Sequence, residues 1–294
     1  MILIVGATGT LGGRIAHDLL AKGKDVRILV RDPSPSSKMA AVGMATSAES
    51  LIAVGAQAVS GDLTDLASLD AACAGIDTVI TTATATKRDG DLEAVDLNGT
   101  LNLIAVAAQA GVRHFIYTSA YGSAVSHPVP LFQFKATCEQ ALMGSGMIWT
   151  VLLPNMFTEV WAGMVIGIPL QAGAPVTLVG EASHRHAHIS EDDVAAFAVA
   201  AVENPLAENA RIEIGGPSYS WREVVDAAGN AIGQALPVSY VPLGNEVPLL
   251  PPLAGGMLSA WETYETFIDM GERPAQFGVA LTPLPVVLRQ MFGP

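Results

Sequence analysis

The chain has 294 residues, of which 50% are hydrophobic and 15% are charged. It can therefore bury a large core, and this composition excludes an intrinsically disordered chain. A net charge of -13 argues against nucleic acid or an anionic membrane surface as a partner, because both are themselves negatively charged. Cys73 and Cys138 form no CxxC pair, which favours a reducing, cytoplasmic setting over a disulfide framework.

Short apolar runs alternate with longer segments of helical periodicity in the first 155 residues. Strands are predicted at residues 1–5, 26–30, 56–60, 78–82, 114–118 and 149–153. Helices are predicted at residues 13–21, 47–54, 66–73, 92–110 and 131–143. This alternation is typical of βαβ units whose parallel sheet is buried on both faces. We therefore predict an α/β fold with a doubly wound parallel sheet, a Rossmann core, over residues 1–155.

Residues 156–294 follow a less regular pattern that is richer in proline and glycine. Strands are predicted at residues 176–179 and 211–214, and helices at residues 191–202, 221–232 and 258–270. This pattern predicts a small C-terminal substrate lobe, interleaved with the last elements of the sheet. The uncharged run 160–180 is long enough to cross a bilayer. Glycines and prolines interrupt that run, so we predict no membrane span.

A glycine turn follows the first predicted strand directly and opens the first helix, with the sequence Gly6-Ala7-Thr8-Gly9-Thr10-Leu11-Gly12. Gly6 permits a sharp turn, Gly9 lets a pyrophosphate approach the backbone, and Gly12 lets the helix pack closely on the sheet. The N–H groups and the positive dipole end of the helix then point at the phosphates. This context predicts a dinucleotide site contacted by Gly6, Thr8, Gly9, Thr10, Leu11 and Gly12.

The end of the second strand distinguishes the two nicotinamide cofactors, because a cation there binds the 2′-phosphate of NADP(H) and a carboxylate there binds the ribose of NAD(H). Arg31 stands at this position and Lys38 follows, so we predict NADP(H). Asp32 keeps an NAD(H) site open as the alternative. Asp62 and Leu63 follow the third strand, where the adenine would lie; Asp62 either binds the adenine or caps the helix entered after it.

Seven segments in one order resemble the NmrA-like, atypical branch of the short-chain dehydrogenase/reductase superfamily. They are GATGTLGG (6–13), LVRDP (29–33), SGDLTD (60–65), AVDLNGTLNLIAVAAQAGVRHFIYTSA (94–120), KATCEQAL (135–142), SGMIWTVLLPNMF (145–157) and HISEDDVAAFAVAAV (188–202). The resemblance implies a seven-stranded doubly wound core that holds NADP(H) at the carboxyl ends of its strands. It also implies either reduction of carbonyls or double bonds, or cofactor binding used only to sense redox state.

The Ser–Tyr–Lys set of the superfamily is incomplete in this chain. Lys135 matches the lysine, but Leu131 stands where the tyrosine is expected and Ala120 where the serine is expected. The candidate catalytic residues are therefore Lys135, Ser119 and Tyr121, of which Ser119 either binds substrate or cofactor or only satisfies the backbone. Tyr121 either supplies a phenol from its loop or is a turn residue.

Further cofactor contacts are predicted at the carboxyl ends of later strands, where the resemblance places the dinucleotide. They are Ala83, Thr84, Thr118, Lys135, Asn155 and Phe157.

Two patterns in the second half of the chain are interpreted as structural. Three histidines alternate along a predicted strand, namely His184, His186 and His188. No fitting fourth ligand accompanies them, so we predict no metal site and a polar surface strand. Trp261, Tyr264 and Phe267 have helical spacing, which is more typical of core than of site residues.

These observations together predict an NADP(H)-dependent reductase, specifically a ketoreductase that acts on a bulky aromatic or polyketide-like carbonyl without the usual Ser–Tyr pair. The alternative is a non-catalytic NADP-sensing regulator or assembly factor. We expect a cytoplasmic monomer or homodimer whose partner is a small-molecule substrate, with neither nucleic acid nor membrane as a partner.

Overall fold

A computed structural model of the chain describes residues 1–31, 46–85 and 91–293. It contains a seven-stranded sheet in the order β10-β6-β5-β4-β1-β2-β3. The strands are β1 (Ile2–Val5), β2 (Val26–Val30), β3 (Gln57–Ser60), β4 (Thr78–Thr81), β5 (His114–Thr118), β6 (Ile148–Pro154) and β10 (Ala210–Ile214). In the part of the sheet with the order β6-β5-β4-β1-β2-β3, every strand is parallel to its neighbours. The predicted α/β doubly wound sheet is therefore confirmed.

Helices connect these strands, as the sequence periodicity predicted. They are α1 (Thr10–Ala21), α2 (Ala48–Ala53), α3 (Leu66–Cys73), α4 (Thr100–Gln109), α5 (Pro130–Met143) and α8 (Glu191–Ala201). The segment before α4 is a π-helix, Glu93–Gly99, so the long helix predicted at residues 92–110 has two different windings. Short π-helical insertions are frequent at functional sites.

One buried cluster shows how the sheet is covered by α3, α4 and α5. Alternate residues of a strand point to the same face, and apolar side chains of this face pack against apolar side chains of the three helices. The cluster includes Leu3, Val5, Val79, Phe115, Val151, Leu69, Leu103, Ile104 and Leu142. Helix α5 carries polar residues of the site described below, and α4 directly follows the π-helix that carries another. Packing in this cluster therefore fixes the position of these polar residues.

Contacts divide the chain into two compact units, of which the first comprises residues 1–153 and 194–213 and the second residues 154–193 and 214–293 of the described chain. The second unit holds two small sheets, with orders β11-β9-β7 and β12-β8. Their strands are β7 (Met156–Phe157), β8 (Val176–Val179), β9 (Arg185–Ile189), β11 (Ser218–Ser220) and β12 (Val238–Val241). Its helices are α6 (Thr158–Ala162), α7 (Ile168–Ala172), α9 (Trp221–Ile232), α10 (Pro252–Trp261), α11 (Arg273–Gln276) and α12 (Leu284–Phe292).

Three predictions for the second unit are wrong in whole or in part. The helix predicted at residues 258–270 is instead α10, which ends at Trp261. Beyond it the Thr266 amide donates to the Arg185 carbonyl (3.0 Å), so this segment pairs with β9 instead of continuing as a helix. Tyr264 and Phe267 are accordingly exposed, so the interpretation of this spacing as core holds for Trp261 alone.

The histidine strand is not a polar surface strand. His186 and His188 are buried, at 2% and 4% exposure, while His184 stays partly exposed just before β9. Aromatic rings surround the buried pair: Tyr264 lies edge-on to His186, and Trp221 and Tyr219 lie edge-on to His188. Burial lowers the pKa of His188 to about 3, so its imidazole is neutral at physiological pH.

The apolar run 160–180 is folded into several short elements. It contains the end of α6, a π-helical turn (Gly163–Gly167), α7 and β8. Within the described ranges, no helix is both long and apolar enough to cross a membrane.

Candidate active site

The glycine turn lies at the carboxyl end of β1, between β2 and β4, where the strand order of the sheet reverses. Open α/β sheets bind ligands at such a switch point. Gly6 has a φ of +92°, and a Cβ on Gly12 would lie 2.3 Å from the carbonyl oxygen of Gly6. Gly6 is therefore required by the conformation of the turn, and Gly12 by the close packing of the helix against it.

Gly9 differs from these two glycines, because its backbone (φ -82°, ψ 170°) suits any residue. A Cβ there would lie 3.2 Å from the Gly6 carbonyl oxygen, a tight contact but a much milder one than at Gly12. Gly9 is the N-cap of α1, which has neither a capping side chain nor an acidic residue in its first turn. The exposed N-terminus of α1 thus keeps the positive character that attracts anions.

The remaining predicted contacts of this turn are placed around the same helix end. Thr8 is half-buried in the turn, Thr10 is the first residue of α1, and Leu11 is buried in its first turn.

Arg31 lies exposed just beyond the end of β2, and its charge acts on Asp62 beyond the end of β3. Burial would raise the pKa of Asp62, but hydrogen bonds from the Thr64 amide (2.9 Å) and hydroxyl (2.7 Å), together with Arg31, hold it below its ordinary value. Asp62 does not cap the helix, since α3 starts at Leu66 with Asp65 as its N-cap. Leu63 is buried, and Asp32 and Lys38 fall outside the described residues.

Lys135 is buried on α5, with 8% exposure. Its ammonium donates to the carbonyl of Thr118 (3.1 Å) and lies 5.4 Å from the centre of the Tyr117 ring. Burial lowers the pKa of Lys135, while the carboxylates of Asp96 and Glu139 oppose that shift. The lysine is therefore fixed at the carboxyl end of β5.

Ser119 is committed to a buried carboxylate. Its hydroxyl forms a short hydrogen bond with Glu139, which lies one turn after Lys135 on α5. The other Glu139 oxygen accepts from Arg211 of β10 at 2.9 Å and 3.0 Å. Ser119 thus helps to anchor α5, and Glu139 and Arg211 are site-supporting residues that the sequence patterns did not identify.

The phenol position of the superfamily is occupied by an aliphatic side chain. Leu131 is half-buried on the first turn of α5, one turn before Lys135. Tyr121 lies half-buried in the turn that includes Gly122, whose φ is +82°. Tyr121 is therefore in a turn, which was one of its two interpretations.

Two buried polar atoms near Lys135 have no hydrogen-bond partner in the described part of the chain, the Thr118 hydroxyl and Oδ1 of Asp96. Oδ2 of Asp96 accepts from the Ala85 amide at 2.9 Å, in the segment after β4. The neighbouring predicted contacts are Ala83, which is half-buried, and Thr84, which is exposed. Such unpaired buried atoms are costly and indicate a missing partner.

The last two predicted cofactor contacts belong to the second unit. Asn155 donates from its side chain to the Thr266 hydroxyl (2.8 Å), and Phe157 pairs with Ile189 in the small sheet. Their assignment to the cofactor stays a prediction. Across the described ranges, no group of three or more His, Cys, Asp or Glu side chains could hold a metal ion.

A model of the NmrA-like family matches residues 1–271. The chain belongs to the NmrA-like family. The resemblance inferred from the seven segments is thereby confirmed. Among curated relatives, the NAD(P)H azoreductase of Xenophilus azovorans is 31% identical over 242 residues, covering 82% of this chain and 76% of the relative. The photosystem II assembly factor Ycf39 of Synechocystis sp. is 31% identical over 244 residues, covering 82% and 71%.

Solved structures show the same fold. The triphenylmethane reductase of Citrobacter sp., complexed with NADP(H), aligns with a TM-score of 0.80 at 20% identity, over 99% of both chains. The NADPH-dependent quinone oxidoreductase QOR2 of Escherichia coli aligns with a TM-score of 0.77 at 21% identity, over the full length of both chains.

Proposed function

We propose that this protein is an NADP(H)-dependent reductase that transfers hydride to a bulky, conjugated aromatic acceptor, a carbonyl or quinone above all. The observation that carries the proposal is the presence of two features at the carboxyl ends of the strands. One is the glycine turn, which opens a helix whose N-cap has no capping side chain, and the other is a buried lysine at the end of β5. The relatives support it, because their names include NAD(P)H azoreductase and phenylcoumaran benzylic ether reductase.

The residues present fit a dinucleotide. Among the described residues, a Cβ on Gly9 would meet only the Gly6 carbonyl oxygen, at 3.2 Å. A ligand that approaches the backbone there gives a further reason for glycine at this position. The α1 amides would hold the diphosphate, and Arg31 would bind the 2′-phosphate. The unpaired hydroxyl of Thr118 would gain a partner from the ribose or nicotinamide.

Bound NADPH supplies a hydride to the electrophilic atom of the acceptor, and a proton must reach the atom that becomes negative. Leu131 cannot provide that proton, and the Ser119 hydroxyl already donates to Glu139. Lys135 would stabilise the developing negative charge with its ammonium and would hold the nicotinamide ribose. The proton would then come from Lys135, water, Tyr121 or an adjacent phenol of the substrate.

Conjugated acceptors suit a site without a tyrosine. A quinone or a hydroxy-aromatic ketone spreads the incoming charge over its ring system, so it needs less help from a proton donor than an isolated ketone does. Aliphatic ketones, which need a strong proton donor, should be poor substrates for this chain.

The test is NADPH oxidation by the purified protein with a panel of quinones, azo dyes, polycyclic aromatic ketones and simple aliphatic ketones. We expect turnover with conjugated acceptors, slow or no turnover with aliphatic ketones, and a large loss for Lys135→Met. Leu131→Ala is the matched control on the same helix and should keep most of the activity. NADPH binding without turnover of any conjugated acceptor would contradict the reductase.

A second candidate is a regulator or assembly factor that binds NADP(H) without chemistry. It is favoured by Leu131 at the tyrosine position and by the photosystem II assembly factors among the relatives. Binding of NADPH without turnover of any panel member, together with no gain of activity in Leu131→Tyr, would support it.

A further inference from the structure

Asp96 combines deep burial with an unused oxygen. It is 1% exposed and lies in the π-helical segment Glu93–Gly99. One carboxylate oxygen accepts from the Ala85 amide at 2.9 Å, whereas the other is buried without a partner in the part of the chain that the structure describes. A buried carboxylate is stable only where hydrogen bonds or an opposite charge balance it.

Asp96 lies against the lysine-bearing face of α5. Cys138 follows Lys135 by three positions and so shares its face of the helix. Its thiol donates to the Asp96 carbonyl at 3.4 Å. The π-helical segment and α5 are therefore packed together at the lysine, with Asp96 directly at that contact.

The two acidic residues near Lys135 differ in how they are satisfied. Glu139 is neutralised by Arg211 and also accepts from Ser119. Neither Asp96 nor Lys135 forms a direct ion pair with any described residue. Among the described residues, the carboxylate near Lys135 that has no cation paired with it is thus that of Asp96.

We propose that Asp96 is the positioning residue of Lys135: its carboxylate balances the ammonium, and its unused oxygen orders a hydroxyl group, from water or from the ribose, between the two side chains. The inference rests on the proposed function only in taking Lys135 as the residue that contacts the cofactor. In the described part of the chain, the groups that act on the ammonium are the Asp96 and Glu139 carboxylates, the Cys138 thiol, the Thr118 carbonyl and the Tyr117 ring.

The consequence is a lysine ammonium that the Asp96 charge stabilises against the effect of burial. Desolvation lowers the pKa of Lys135, and Asp96 is the strongest influence in the opposite direction. Without the Asp96 charge, the ammonium should lose its proton at a pH lower by about one unit or more, since an opposite charge nearby shifts a pKa by that amount.

The first test is Asp96→Asn, which keeps an acceptor for the Ala85 amide and removes only the charge. Glu93→Gln, an exposed acid on the same segment, is the control. The affinity for NADPH is measured by fluorescence titration over a range of pH. In Asp96→Asn, we expect the pH at which this affinity falls to be lower than in the parent protein by about one unit or more. In the control, we expect the pH dependence of the parent protein. An unshifted profile in Asp96→Asn would overturn the proposal.

The second test needs no cofactor and no turnover, so it stands even where the reductase activity fails. Denaturant unfolding of Asp96→Asn, Lys135→Met and the double variant forms a mutant cycle. We expect the double variant to lose less stability than the two single variants lose in sum, so its denaturant midpoint should be higher than additivity predicts. The reason is that each single change leaves one buried group without its partner. Additive midpoints would overturn the proposal. If Asp96→Asn alone fails to fold, a folded double variant supports the pairing and an unfolded one contradicts it.

Discussion

Two glycines of the same turn should differ in how much stability the same substitution costs, although both substitutions should weaken NADPH binding. In Gly12→Ala the new methyl group would lie 2.3 Å from the Gly6 carbonyl oxygen and 2.7 Å from the Thr82 hydroxyl. Overpacking of this kind costs roughly 1–3 kcal/mol, and a contact this short with backbone belongs at the upper end. The helix propensity of alanine returns only about 1 kcal/mol, so we expect a net loss of about 2 kcal/mol.

Gly9→Ala meets no such obstacle. Its contact of 3.2 Å needs a small shift and its backbone suits alanine. The reduced entropy of the unfolded chain gives back ~0.4–1 kcal/mol, so the unfolding free energy should stay within about 1 kcal/mol of the parent. The methyl group would nevertheless occupy the approach of the diphosphate, and we expect NADPH affinity to fall at least about tenfold.

The assay pairs denaturant unfolding with NADPH titration for both variants. Gly12→Ala should lose stability and affinity together, whereas Gly9→Ala should lose affinity alone. A Gly9→Ala protein that binds NADPH as tightly as the parent would refute the role of this turn in holding the diphosphate.

Three further predictions concern charge. Arg31→Ala should weaken NADPH binding about tenfold, which is the contribution of one charge-assisted phosphate contact, and leave NADH binding unchanged. Equal effects on both cofactors in calorimetric titration would show that Arg31 does not bind the 2′-phosphate. Glu139→Gln strips Arg211 and Ser119 of their carboxylate, so the unfolding free energy should drop by about 1–3 kcal/mol, and an unchanged denaturant midpoint would contradict this. His188 has a pKa of about 3 when folded against about 6.5 when unfolded, so the unfolded chain binds more protons between these values. Stability should therefore fall as pH drops below about 6.5, and His188→Phe should flatten that slope in unfolding curves recorded from neutral pH downwards.

The features that follow from local periodicity could be predicted from the sequence. The strands at 26–30 and 114–118 and the helix at 66–73 have their predicted bounds, because buried parallel strands and amphipathic helices have distinct apolar patterns. The glycine turn was recognisable because it joins a strand directly to a helix.

Other features depend on contacts that no local pattern encodes. The alternating histidines of β9 gave a surface pattern, yet aromatic rings from distant segments bury His186 and His188. The segment after Trp261 leaves the helical path because Thr266 pairs with a strand some eighty residues earlier in the chain. Asp96 and Arg211 reach the site through tertiary packing on α5, although the four-residue spacing of Lys135 and Glu139 gave a signal that both share one helix face.

The most direct test of the central claim is calorimetric titration of the purified protein with NADPH and with NADH. We predict saturable binding of NADPH and distinctly weaker binding of NADH, because the glycine turn would hold the diphosphate of either cofactor and Arg31 would hold the additional phosphate. Absence of measurable binding of both cofactors would contradict the claim, since no hydride chemistry could then be assigned to this site.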